Sequence, residues 1–450
     1  MTLSHSNSKP NPGFSGDFDL VDRARDVLLA NQVGNITCPS PKLYPHQWSW
    51  DTAFLAMGYA TFDQERAQME LTELFCGQWA NGLLPAVVFT ADAGHYFPDA
   101  EFWQSWRSVK APDSPATSGT IQPPVHATAV LTVVRRAADV KSAQAFGAGM
   151  FPKLVQWHGY LYGERARGDD LVEIWHPWES GMDNSARWDQ PLSQLKFAQE
   201  EVPLYRRADL DVSRAGERPT EVDYDRYVYL ANLLRSQGYD DEAARASHPF
   251  AVQDVVFNAI LIQAERDLAD LAEVIGESGD RFRARADATA DALAKLFDEE
   301  HACYFDFDVR AAKPLVEPTV AGLLPLYAGA VEAEKAMSIV DDMSAAAVRP
   351  VDAGWLLPSL ESNDHRFSRE RYWRGPIWPV INWLALRGLE KYGYRQEAAA
   401  IRTAMLELVR REGFFEYFDP VNGQGRGASQ FAWTAAFVLD FLYDGYKPTE

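Results

Sequence analysis

Apolar residues recur at helical spacing through most of this chain, in residues 18–30, 51–61, 63–80, 125–140, 146–164, 225–238, 249–275, 279–297, 318–329, 331–345, 376–392, 395–411 and 430–444. A chain patterned this way is committed to packed helices, because only the helical period lines those positions up on common faces. The helices are of two kinds. In residues 251–264 (Ala-Val-Gln-Asp-Val-Val-Phe-Asn-Ala-Ile-Leu-Ile-Gln-Ala) the apolar positions fill well over half the circumference, as a helix buried on most sides requires. Residues 396–411 are amphipathic, with one charged face. Mixing the two kinds calls for two concentric layers, an inner ring wrapped by an outer one. Strand signals are confined to short alternating runs at 302–308 and 414–418, read as hairpin strands in loops. The expected fold class is all-α with minor β-hairpins.

Two stretches, near 82–122 and 183–224, lack helical periodicity and carry Pro, Gly, Asp and Ser. Loops this long inside a compact domain are usually functional, so both are expected to form walls or lids over a pocket. A length of 450 residues does not force two domains, because large helical toroids carry such lengths as one unit. Residues 1–15 are polar and rich in Ser, Asn and Pro, without an apolar run of signal-peptide length. The expectation is a disordered tail over residues 1–16 and one catalytic domain over 17–446.

A formal net charge of −21 argues against nucleic acid or an anionic membrane as partner, since the long-range field repels polyanions. It leaves room for a small anion held by local arginines. No apolar run reaches membrane-spanning length. Cys38, Cys76 and Cys303 are scattered and odd in number, without metal-type spacing, which reads as reduced thiols in a cytoplasmic protein.

The chemistry concentrates in aromatic segments. Residues 44–51 (Tyr-Pro-His-Gln-Trp-Ser-Trp-Asp), 178–183 (Trp-Glu-Ser-Gly-Met-Asp) and 372–378 (Tyr-Trp-Arg-Gly-Pro-Ile-Trp) set tryptophans beside carboxylates, arginine and tight-turn residues. Trp48, Trp50, Trp178, Trp188, Trp373, Trp378 and Trp433 all fall in such surroundings. That pattern fits aromatic platforms around a polar ligand, a sugar above all, against the plainer reading of core aromatics on helix ends. Asp51, ahead of Thr-Ala-Phe-Leu-Ala-Met, is either a helix N-cap or an acceptor for sugar hydroxyls. Glu179 and Asp183 flank a glycine that permits a tight turn. A general acid for glycoside cleavage must stay protonated at working pH, and Trp178, Met182 and Trp188 could supply the apolar surroundings that do this. Glu416 lies within Phe-Phe-Glu-Tyr-Phe, where strand alternation would point it away from Phe415 and Tyr417. The glycine-rich run 423–429 is read as a turn, since it does not leave a parallel strand. Serine-hydrolase elbows and His-Glu-x-x-His are both lacking, and no histidine pair has metal spacing.

Taken in order, these segments, with Gln122-Pro-Pro-Val-His, Tyr224-Asp-Arg-Tyr, Glu416-Tyr and Trp433-Thr-Ala-Ala, resemble glycoside hydrolase family 63 over residues 44–442. The likeness is closer to its bacterial branch that hydrolyses glucosylglycerate and mannosylglycerate. The resemblance implies an (α/α)6 barrel and inversion at an α-linked anomeric carbon, with no cofactor and no metal. By motif position Asp183 would be the general acid and Glu416 the general base, their carboxyls roughly 6.5–9.5 Å apart to admit the attacking water. It assigns Tyr44, Trp48, Trp50, Asp51, Trp178, Gly181, Trp373, Trp378, Gln430 and Trp433 to the sugar wall, and Gln122, Arg218, Tyr224 and Tyr372 to the aglycone. Arg218 bears most on substrate, because its fork of donors suits a carboxylate such as that of glycerate. The implied partner is a small charged glycoside, and a homo-oligomer is compatible with the chain. Competing readings are a trehalase-like or α-glucosidase hydrolase of an uncharged glycoside, an (α/α)6 epimerase using His46 and His126, and a non-catalytic sugar-binding protein.

Overall fold

The structure, a computed structural model, describes residues 15–91 and 96–445. Its long helices are α1 (Ser15–Ala30), α2 (Ser49–Tyr59), α3 (Gln64–Leu74), α4 (His126–Arg136), α5 (Val140–Glu164), α6 (Glu221–Ser236), α7 (Val255–Val274), α8 (Asp280–Leu293), α9 (Ala333–Ala346), α10 (Pro379–Lys391), α11 (Arg395–Glu412) and α12 (Ala432–Gly445), with a 3-10 segment at Val320–Ala328. Packing closes six of these elements into a ring: α2 meets α4, α4 meets α7, α7 meets the 3-10 segment, that segment meets α10, α10 meets α12, and α12 returns to α2. Each ring member carries an outer helix on its back. These are α3 on α2, α5 on α4, α8 on α7, α9 on the 3-10 segment, α11 on α10 and α1 on α12. The result is an (α/α)6 toroid.

The two-layer pattern follows from the helices themselves. Every residue of α2 and of the 3-10 segment is buried, and α7 buries most of its circumference, so these can only stand inside. On α11 the buried Ala398, Ile401, Met405 and Leu408 form one stripe, leaving a polar face for solvent.

Three departures from the sequence expectation have identifiable reasons. Of residues 318–329, expected as an α-helix, Val320–Ala328 form the 3-10 segment, because Pro325 inside it offers no N–H and its ring crowds the carbonyl one turn back. Helix α7 starts at Val255 rather than 249, since Val252–Gln253 pairs as a strand and the Asp254 carboxylate then caps the N–H groups of Val256 and Phe257. Asp51 is not the N-cap of α2. It sits in the first turn, and the N-cap is Trp48. The predicted tail over 1–16 lies outside the described residues except for Ser15 and Gly16, which begin α1.

Small strands tie the connecting loops to the ring. An antiparallel sheet runs Lys313–Leu315, Asp306–Asp308, Val252–Gln253, Glu173–Ile174, and so anchors the segment that leads into Trp178 against the start of α7. Gln47–Trp48 pairs with Val87–Val88, which draws the 82–122 stretch to the head of α2. Phe415–Phe418 pairs with Gly425–Ser429, and Ile377 bridges to Phe418, bringing the 372–378 motif beside Glu416. The glycine-rich run read as a turn is thus largely the return strand of this hairpin.

Candidate active site

A single pocket gathers the motifs over the N-terminal ends of the inner helices. Trp48, Trp50 and Asp51 enter it from the head of α2, Gln122 from just before α4, Trp378 from the cap of α10, and Phe431 and Trp433 from the start of α12. Trp178, Gly181 and Asp183 come from the loop behind Glu173–Ile174, Arg218 from the approach to α6 and Tyr224 from its first turn. Tyr44, Tyr372, Trp373 and Glu416 lie in the same lining.

One wall is aromatic. Trp373 and Trp378 stack with centroids 3.7 Å apart and planes 6° from parallel, and Tyr417 continues the stack on Trp378 at 4.6 Å. Trp433 stands edge-on to both Trp378 (5.9 Å) and Trp50 (5.6 Å). Pairs of this kind add about 0.5–1.5 kcal/mol each beyond the area they bury, so the wall is rigid. Gly181 is required beside it. It has φ +70°, and a Cβ there would stand 2.6 Å from the Trp50 ring.

Several donors in this wall are unspent. The indole N–H groups of Trp48, Trp103, Trp373 and Trp433 are buried without a hydrogen-bond acceptor, although all four residues line the pocket. Buried donors are normally paired, so such a cluster fits a ligand rich in hydroxyl acceptors.

Three carboxyls and one guanidinium set the electrostatics. Glu416 accepts from the Tyr44 hydroxyl (2.9 Å) and from the Ala428 N–H (3.1 Å), and Arg218 Nη1 stands 3.9 Å from its Oε1. Burial raises its pKa against the opposing pull of Arg218 and those hydrogen bonds. For Asp183, burial pushes the pKa up to about 7, with Arg218 again opposing and Glu416 reinforcing. Asp51 is pushed up to about 8, first by burial and then by the neighbouring Glu416 and Asp183. The two candidate catalytic carboxyls therefore differ in their surroundings. Glu416 is ringed by donors that favour its ionised form, whereas Asp183 can hold a proton near neutrality.

Arg218 is only 6% exposed. It donates through Nε to Asp209 (3.1 Å) and through Nη2 to the Tyr44 hydroxyl (3.0 Å), and it lies 4.3 Å over the Tyr372 ring. Its Nη1 is buried with no hydrogen-bond partner. Glu416, at 3.9 Å, faces it beyond hydrogen-bond reach, so this charged N–H can still donate to an anionic ligand.

Of the residues singled out from sequence, Gln430 does not line the pocket. Its φ is +54°, its side chain is exposed, and its carbonyl accepts from Asn31 Nδ2, while the following Phe431 lines the wall instead. Trp188 is fully buried outside the lining, against Phe250 and under Arg187, and so does not shield Asp183 directly. Glu179 is structural. It forms a two-pronged buried ion pair with Arg165 and accepts from the N–H groups of Ile121 and Trp175. His46 and His126 lie outside the lining, and burial lowers their pKa values to about 4 and about 3. The alternation expected around Glu416 fails because a bulge between Phe415 and Tyr417 leaves both Glu416 and Tyr417 buried.

Sequence reasoning missed Tyr96, Trp103, Thr120 and Phe431 in the lining. The first three belong to the aperiodic stretch 82–122, where only its expected role as a wall pointed to them. Among the described residues no group of three or more His, Cys, Asp or Glu is arranged to hold a metal ion.

Residues 44–434 match the model of the mannosylglycerate hydrolase MGH1-like glycoside hydrolase domain. The chain is 44% identical over 430 residues to a mannosylglycerate hydrolase of Rubrobacter radiotolerans, covering 95% of this chain and 97% of that protein. It is 35% identical over 443 residues to a glucosylglycerate hydrolase of Mycolicibacterium hassiacum, covering 94% and 97% respectively. Its fold superimposes with a TM-score of 0.88 and 40% identity on the family 63 mannosylglycerate hydrolase of Thermus thermophilus in complex with Tris and D-glycerate, over 94% of this chain and 99% of that one.

Proposed function

The chain belongs to the mannosylglycerate hydrolase MGH1-like glycoside hydrolases of family 63, and on that premise we propose that it hydrolyses an α-hexosyl glycerate, glucosylglycerate or mannosylglycerate, to free hexose and D-glycerate. The observation that carries this reading is the meeting, in one aromatic pocket, of Asp183, Glu416 and an arginine with a buried unpartnered N–H. Asp183, with its pKa raised to about 7, serves as general acid and gives its proton to the glycosidic oxygen as the bond to the anomeric carbon breaks. Glu416 takes a proton from a water that attacks that carbon from the opposite face, so the α-glycoside yields the β-hexose. The Tyr44 hydroxyl and the Ala428 N–H hold the base in place. Arg218 meets the glycerate carboxylate, a local attraction that acts despite a net charge of −21 on the whole protein.

Relatives named for each hexose are similar to this chain, and the sugar wall of Trp50, Asp51, Trp373 and Trp433 is where the two would be told apart. The same reading takes residues 17–446 as one catalytic domain whose 82–122 and 183–224 segments wall the pocket. A cytoplasmic location accords with three cysteines that form no disulfide. An epimerase reading loses its support, because neither candidate histidine lines the pocket. The test is a panel of glucosylglycerate, mannosylglycerate, glucosylglycerol and trehalose with the purified protein. Release of D-glycerate from a charged glycoside, well above turnover of the uncharged pair, is expected. Preference for glucosylglycerol or trehalose would overturn the substrate, and absence of any aglycone release would overturn the hydrolase.

A further inference from the structure

Behind Arg218 stands a second layer of charge, Asp209 and Arg207, that is not itself part of the pocket lining. The Asp209 side chain is 7% exposed and that of Arg207 5%. Arg207 grips Asp209 with both prongs, Nε to Oδ1 at 3.0 Å and Nη2 to Oδ2 at 2.7 Å. Arg218 reaches the same carboxylate with only its Nε, at 3.1 Å. Arg207 is itself fixed, donating to the Pro219 carbonyl (2.8 Å) and Glu221 (3.1 Å) and lying 4.2 Å over the Tyr224 ring.

The charges on this line decide what Arg218 can do. A carboxylate paired with a single arginine takes the full fork of that arginine, and the pair is then close to neutral. Here Asp209 is already held on both oxygens by Arg207, so it takes only the Nε of Arg218, whose Nη2 goes to Tyr44 and whose Nη1 makes no hydrogen bond. We propose that Arg207 and Asp209 are positioning residues for recognition of the substrate's anionic aglycone: Asp209 aims Arg218, and Arg207 offsets the charge of Asp209 so that the positive field of Arg218 at the ligand is not cancelled. The reading rests on the function proposed above. Asp209 fits this role, because burial would raise its pKa but the hydrogen bonds from Arg207 and the charges of both arginines hold it below the usual carboxylate range, ionised at working pH.

The test uses the whole enzyme and two probes, D-glycerate for the anionic part of the site and free glucose or mannose for the sugar part, with dissociation constants from calorimetry. Arg207→Gln leaves Asp209 to capture Arg218. It is expected to weaken D-glycerate by roughly 10- to 100-fold, the worth of one charge-assisted hydrogen bond, while hexose affinity moves by less than about threefold on the same argument. In turnover of the charged glycoside the loss should fall on KM rather than kcat. The double variant Arg207→Gln with Asp209→Asn removes both charges and is expected to recover most of the D-glycerate affinity. A scaffold role alone would weaken both probes together and leave the double variant no better than the single. That pattern, or unchanged D-glycerate binding in Arg207→Gln, overturns the proposal. Should Arg207→Gln fail to fold, Arg207→Lys, which keeps the charge but not the fork, decides in its place. A selective loss on D-glycerate smaller than tenfold supports the proposal, and an equal loss on both probes overturns it. If the parent enzyme binds no D-glycerate and cleaves charged and uncharged glycosides alike, the substrate reading itself has failed and this inference falls with it.

Discussion

Replacing Asp183 by Asn should abolish turnover and at the same time stabilise the free enzyme, by an amount that grows with pH. The carboxyl of Asp183 moves from an unfolded value of 3.8 to about 7 in the pocket, chiefly through burial. A raised folded pKa means that the folded state binds the proton more tightly than the unfolded chain. The stabilisation is fully present below pH 3.8 and is lost as the pH rises through about 7. The rise from 3.8 to about 7 corresponds to about 4 kcal/mol at most. Asp183 keeps part of its surface open to the pocket, which lowers the working figure to about 2–3 kcal/mol. Asparagine fills the same space and does not ionise, so the difference in unfolding free energy between variant and parent should widen by about 2 kcal/mol from pH 5 to pH 8. Buried histidines such as His126 and His176, whose pKa values fall to about 3, have the opposite pH dependence, but they are common to both proteins and cancel in the difference. Urea unfolding followed by tryptophan fluorescence at several pH values gives the quantity directly. A difference that stays flat with pH, or an Asn variant less stable than the parent at pH 8, would refute the claim that burial holds a proton on Asp183.

Turnover should carry the matching signature. Because the acid acts in its protonated form, kcat/KM is expected to fall as the pH rises above about 7, approaching about tenfold per unit, and an alkaline limb displaced by two units or more would remove Asp183 from that role. Gly427→Ala would drive a Cβ into Glu416 Oε2 at a φ of +66°. A displaced base should cost on the order of 100-fold in kcat with KM little changed, whereas Gly163→Ala, where a Cβ meets nothing within 4 Å, serves as the silent control. Arg165→Met leaves the Glu179 carboxylate buried without its partner and should lower unfolding free energy by about 3–5 kcal/mol, seen as a fall in the urea midpoint.

Much of the fold was legible because its signal is periodic. Inner helices such as α2 and α7 announce themselves by apolar residues on all sides, and outer ones such as α11 by a single stripe. What periodicity could not show is how the ring closes, since α12 packs on α1 and α2 from the opposite end of the chain as well as on α10. It also missed the conversion of 318–329 to a 3-10 segment, a local effect of Pro325. The site was legible where an aromatic and a carboxylate share a motif, as at Trp50 and Asp51 or Trp178 and Asp183. It was illegible where position depends on long-range strand pairing. Tyr96 and Trp103 reach the pocket because Val87–Val88 pairs with Gln47–Trp48, and no residue near them carries that information. Gln430 stands outside the lining for a backbone reason, a left-handed φ at an exposed position, and Phe431 lines the wall instead. The Arg207–Asp209 pair was invisible for a similar reason, since a short spacing in a loop says nothing of which arginine takes both prongs.

Asp183 and Glu416 are proposed to cleave an α-glycoside of glycerate with inversion. Proton NMR of the anomeric signals in the first minutes of glucosylglycerate or mannosylglycerate hydrolysis tests it most directly, at an enzyme concentration that outruns mutarotation. The β-hexose is expected as the first product, with D-glycerate released in equal amount. Initial appearance of the α-hexose would contradict it, because retention requires a covalent intermediate on a carboxylate rather than a water activated by Glu416.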